Sequence, residues 1–201
     1  MSQTATPVAD ASYAACLAFV LQEEGGWADN PDDPGGQTME GITLRTLESY
    51  QHGATADDLR NISPDLVSAI YRREYWTVMG CGNLPDGVNL VVMDFGVNAG
   101  PSRSVGYLQV VAGVRRDGID GAITQGAIAK MSPTAVIAKL AGLQKAHYQA
   151  LPTFDEFGDG WMARCPNHED RDASLSVKEG ADGRARFDER QGERTESGAD
   201  L

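Results

Sequence analysis

The chain reads as an all-α protein, and three observations carry that expectation. Apolar residues recur at steps of three and four, as in Tyr13, Cys16, Leu17, Val20 and Leu21, or Val136, Ile137, Leu140 and Leu143, which is the stripe of an amphipathic helix. Ser-Pro pairs at Ser63-Pro64 and Ser132-Pro133 are start signals, because Ser caps free backbone donors and Pro loses nothing at the first helical position. Glycines at Gly25-Gly26, Gly53, Gly80 and Gly113 stand where such stripes stop.

Taken in order, residues 1–10 are small and polar and are expected to fray. A first helix is expected from Ala11 to Glu24, and a second from Ile42 to Gln51 with Leu44 and Leu47 inward. Thr55 caps a short piece reaching Leu59. The helix opened by Ser63-Pro64 carries Leu66, Val67, Ile70, Tyr71, Tyr75 and Trp76, and Gly80 to Pro85 breaks it. Val88 to Asn98 is almost wholly apolar and is therefore predicted to be the central helix. Val105, Leu108, Gln109 and Val111 form another, ending at Gly113, and the last helix follows Ser132-Pro133. His147, near its end, has no partner at metal spacing and is assigned a structural role.

Composition narrows the function. A length of 201 residues holds one sizeable core, or one domain and an appendage. The net charge of −12 argues against nucleic-acid binding by the chain as a whole, which needs clustered Lys and Arg. Cys16, Cys81 and Cys165 are too few and too scattered for a disulfide framework, and Cys16 sits on an apolar stripe as a core residue. Ala14 to Leu21 is short and follows Asp10, so no leader or stable membrane insertion is expected. The expected localisation is synthesis in the cytoplasm.

The stretch from Glu24 to Thr43 organises the chain. Its Gly pairs, Pro31, Pro34 and carboxylates read as a shaped loop. Glu24 continues the apolar stripe one turn beyond Val20 and Leu21. A carboxyl there is expected to be poorly solvated, and desolvation raises its pKa toward the range of a general acid. Asp29 and Asp32 are read as turn formers beside proline. On the central helix, Asp94 and Asn98 lie four apart on one face, and Asp94 either bridges helices or serves a site. The turn Arg116 to Gly121 with Thr124 lacks the terminal Glu of an EF-hand, so no metal or cofactor is expected.

The sequence Glu24-Gly25-Gly26-Trp27, then Asn30 to Gly36, Thr38 and Gly41-Ile42-Thr43, resembles glycoside hydrolase family 108, lysozyme-like N-acetylmuramidases of bacteria and phages. Met93 to Pro101 and the closing Phe154, Gly158, Gly160, Trp161 and Arg164 are similar to further blocks of that family. The resemblance implies a lysozyme-like helical domain with a long active-site loop, acting on peptidoglycan glycan strands as a monomer. Catalysis would fall to Glu24 as acid, with Asp33, Thr38 and Asp94, and substrate binding to Trp27, Gly36, Glu40 and Asn98. The second carboxylate is Asp33, Glu40 or Asp94; Trp27 stacks on a sugar or anchors the loop; Thr38 positions water or ties the loop. Glu40 departs from the family pattern, where a bulky or amide residue is common.

The implied organisation is a hydrolase region at 11–100, a helical region resembling peptidoglycan-binding modules at 101–164, and an acidic tail at 165–201. Cys165 to Arg171 of that tail resembles the opening of a primase zinc finger, but only Cys165 and His168 stand at ligand spacing. With few large apolar residues, the tail is expected to be disordered. An enzyme without a leader would reach the wall by a holin-type or other release. The rival expectation is a non-catalytic wall-binding or secretion-associated protein of the same fold.

Overall fold

The computed structural model describes residues 7–23, 26–29 and 36–150, together with strand residues 155–157, 160–163, 175–179 and 185–189. The described chain is predominantly helical. Helix α1 spans Pro7–Glu23 and buries Tyr13, Cys16, Leu17 and Val20, the stripe expected of it. It begins earlier than the fraying terminus had suggested.

Helix α5, Val88–Ala99, is the central element, with Val88, Val92 and Met93 wholly buried. Burial of each such side chain stabilises the fold by roughly 1.5–3 kcal/mol. Around α5 lie α1, α6 (Pro101–Ala112) and α8 (Pro133–Gln149). Neighbouring side chains also bond to its backbone: Ser104 Oγ donates to the Val92 carbonyl at 2.7 Å, and Gln144 Nε2 to that of Val91 at 3.3 Å. Gly96 allows close approach, since a Cβ there would stand 2.2 Å from Met79 Sδ. At the start of α5, Asn89 Nδ2 donates to Ser12 Oγ, and Ser12 Oγ to Asp86, tying this end to α1.

Shorter helices complete the frame. Helix α2, Leu44–Tyr50, is capped by Thr43, whose Oγ1 accepts from the Thr46 amide at 3.0 Å. Helix α3, Ala56–Arg60, has a capping box between Thr55 and Asp58. Helix α4, Pro64–Tyr71, starts with the Ser63 cap and Pro64 that the sequence announced. Helix α7 is Ala122–Ile128.

Several expectations need correction. The loop after α1 is not strand-free: β1 (Ala28–Asp29), β2 (Gln37–Met39) and β3 (Ile42–Thr43) make a small antiparallel sheet in that order. Such pairing is short enough to coexist with the flanking Gly and Pro. Ile42 and Thr43 therefore belong to a strand and not to the second helix. The helix from Pro64 is not α-helical through Trp76; Arg72–Thr77 forms a π-helical turn.

The carboxy-terminal part departs most. Strands β4 (Asp155–Phe157), β5 (Gly160–Ala163), β6 (Leu175–Glu179) and β7 (Ala185–Glu189) form a second antiparallel sheet in sequence order. A wholly disordered tail from residue 165 is thus not what the backbone shows at β6 and β7. Cys165 and His168 lie outside the described residues.

Candidate active site

The site is built at the junction of the first sheet and α2. Met39 pairs with Ile42, so Glu40 and Gly41 form a two-residue hairpin turn with φ of 49° and 71°. Both signs positive is the geometry of a turn that favours Asn-Gly. Glu40 is the only non-glycine residue with positive φ among the described residues. The Tyr71 hydroxyl donates to its carbonyl at 2.8 Å and holds the turn in place.

Trp27 precedes β1 and packs, half-buried, against the core. The Arg60 guanidinium lies 4.2 Å from the centre of its ring and covers one face. That cation–π contact holds the ring in place. Thr38 pairs with Ala28 on one side and Thr43 on the other, at the middle of the sheet. Gly36, at φ 67°, adopts a backbone conformation that suits glycine.

Asp94 and Asn98 are half-buried on α5, and Asn98 Nδ2 donates to the Asp94 carbonyl at 3.1 Å. Glu24 and Asp33 lie outside the described residues. The structure therefore brings Trp27, Thr38 and Glu40 to one small sheet and sets Asp94 and Asn98 on the central helix.

Beside the hairpin turn opens a cleft of about 410 Å³. Its walls are Gly41 from the turn, Arg45 and Thr46 from α2, Glu74 and Tyr75 from the π-helical turn, and Pro101 at the start of α6. Glu74 Oε1 accepts from the Tyr50 hydroxyl at 2.5 Å. Partial burial and the Glu74 carboxylate together push the Tyr50 phenol up to about 12, so it stays a donor. Sequence reasoning missed Arg45, Tyr50 and Glu74. A signal was present in Arg72-Arg73-Glu74, three charges interrupting the apolar stripe between Tyr71 and Tyr75. A π-helical turn at that place is itself a frequent mark of function.

The turn after α6 is closed by protein groups. Gln109, almost fully buried, accepts from the Asp117 and Gly118 amides at 2.9 Å each and donates to Asp117 Oδ1 and the Ile119 carbonyl. Its hydrogen bond, with that of the Ile119 amide, holds the Asp117 carboxyl below its ordinary pKa. Among the described residues no three His, Cys, Asp or Glu converge as metal ligands, and no helix is long and apolar enough to cross a membrane.

Known proteins place these features in context. The family model described as Glycosyl hydrolase 108 matches residues 17–100, which include the small sheet, the cleft walls up to Tyr75 and helix α5. A solved structure titled "Structure of Brucella abortus SagA" is 35% identical, with 71% of this chain and 83% of that chain covered at a TM-score of 0.63. No curated protein matches the sequence. On that identity and coverage, the chain belongs to the glycosyl hydrolase 108 family, and its class of activity is hydrolysis of peptidoglycan glycosidic bonds.

Proposed function

We propose that the protein is an N-acetylmuramidase, cleaving the β-1,4 bond between N-acetylmuramic acid and N-acetylglucosamine, with Glu24 as general acid. The observation that carries this reading is the family match across residues 17–100, which spans Glu24. It is supported by the buried stripe Tyr13, Cys16, Leu17 and Val20, which the position of Glu24 continues in sequence by one turn. Glu24 protonates the leaving oxygen as the bond breaks, and a water or carboxylate acts on the opposite face of the oxocarbenium-like transition state.

Asp33, Glu40 and Asp94 are the candidates for that second group. Glu40 draws support from its backbone: a non-glycine residue held at φ 49° stores strain of order 1 kcal/mol or more, and such residues cluster at functional sites. Thr38, Trp27, Gly36 and Asn98 would frame the glycan.

The test uses purified wall and the Glu24→Gln variant. Loss of the general acid is expected to lower turbidity clearance by about a hundredfold or more, with thermal unfolding unchanged. The new reducing end of the product should be N-acetylmuramic acid. Near wild-type clearance by a folded variant would refute the role of Glu24, and a new N-acetylglucosamine end would refute the bond assignment. Wall binding without turnover by the unsubstituted chain would instead favour a non-catalytic protein of this fold.

A further inference from the structure

We propose that the cleft between Arg45 and Glu74 binds the peptide stem of peptidoglycan, taking a stem carboxylate on Arg45 and a stem ammonium on Glu74. The inference rests on the reading of the chain as an enzyme acting on peptidoglycan. At about 410 Å³ the cleft has the capacity of a small-ligand site.

Its chemistry distinguishes peptide from sugar. The neutral groups on the α2 wall are already engaged: Thr46 Oγ1 shares a hydrogen bond with Thr43 Oγ1 at 2.9 Å, and Ser49 Oγ donates to the Thr46 carbonyl at 2.7 Å. What remains is charged. Arg45 is exposed and makes no hydrogen bond or ion pair with any described residue. Glu74 is oriented through Oε1 by the Tyr50 hydroxyl, with the exposed Arg73 Nε 3.8 Å from the same oxygen, while Oε2 has no hydrogen-bond partner among the described residues.

A sugar's hydroxyls hydrogen-bond to either group, but only a ligand with both a carboxylate and an ammonium matches the two charges, since a guanidinium pairs with a carboxylate in bidentate fashion. Of the two parts of peptidoglycan, the stem peptide is the one that carries both signs. Its attachment to the glycan fits a cleft that begins at Gly41, next to the Glu40 turn.

The experiment is a titration of the isotope-labelled full chain, followed by amide chemical shifts. The probes are L-alanyl-γ-D-glutamyl-meso-diaminopimelate, the same peptide acetylated at its free amines, and the trisaccharide of N-acetylglucosamine. The free peptide is expected to shift the amides of Gly41, Arg45 and Tyr75. Arg45→Glu should weaken its binding about tenfold, or roughly 1.4 kcal/mol. Acetylation should weaken binding severalfold to the unsubstituted chain and hardly at all to Glu74→Gln, which keeps an acceptor for Tyr50. Both substitutions are at solvent-facing side chains, and a melting curve for each variant checks the fold. Absence of peptide shifts, unchanged affinity in Arg45→Glu, an equal acetylation effect in Glu74→Gln, or cleft shifts from the trisaccharide in place of the peptide would each overturn the proposal. Binding is read without cleavage. A chain that binds the peptide but lyses no wall refutes the enzymatic reading alone, and one that lyses through Glu24 without peptide shifts refutes the cleft alone.

Discussion

At the level of a single residue, Glu40 carries backbone strain, and its proposed part in the site can be tested against that strain. Its φ of 49° beside Gly41 suits Asn far better than Glu. Glu40→Asn is therefore expected to raise the urea unfolding midpoint, by about 0.5–1 kcal/mol of stability, while lowering clearance of purified wall. A variant neither more stable nor less active would show that the residue is incidental. His147 offers a second test at this scale. Burial, and after it the Arg103 cation at 3.4 Å, lowers its pKa from the ordinary value near 6.5. The folded state then takes up a proton less readily than the unfolded chain. This contribution to stability is complete above the unfolded value and is lost as pH falls through it toward the lower folded one. Stability should decline from about pH 7 to 5, and His147→Gln should flatten that slope in denaturant melts. An unchanged slope would assign the decline to other groups.

Among elements, the closed turn after α6 depends on one side chain. Gln109 meets two backbone amides, a carbonyl and a carboxylate while almost wholly buried. Its replacement by Ala removes the bonds that tie the turn to α6, while the groups at Asp117 and Ile119 are exposed and can turn to water. Gln109→Ala is expected to cost about 1–3 kcal/mol in chemical denaturation, and no measurable loss would mean that water replaces the amide. Sequence periodicity marked Gln109 only as a member of a helix, because the groups it binds lie eight to ten residues away on an irregular turn. The π-helical turn Arg72–Thr77 was hidden for a related reason. One extra residue per turn leaves an apolar stripe nearly intact over so short a span, so Tyr71, Tyr75 and Trp76 read as ordinary helix.

For the whole molecule, the buried apolar cluster runs from Tyr13 to Leu140, with α5 at its centre. Deleting residues 170–201 removes β6 and β7, the second of which neighbours α1, and leaves β5 as a sheet edge, while every described member of that cluster stays in the chain. The helical unfolding transition is therefore expected to shift by no more than a few degrees, while the strand signal in circular dichroism falls. A drop of ten degrees or more would show that the second sheet supports the helices.

The sequence by itself determined the helical frame, because each helix announces itself locally: a stripe on α1, Ser-Pro at α4 and α8, unbroken apolarity on α5. It also determined the family, since the residues from Glu24 to Thr43 resemble a signature whose spacing is readable without coordinates. Only the tertiary structure decided what surrounds those residues. Tyr71 reaching Glu40, Arg60 covering Trp27, and Arg45 facing a cleft with Glu74 are contacts between residues separated by roughly thirty positions. Local propensity carries no information about such meetings. The second sheet was invisible for a different reason: it is defined by pairing between strands, which a count of apolar side chains does not register.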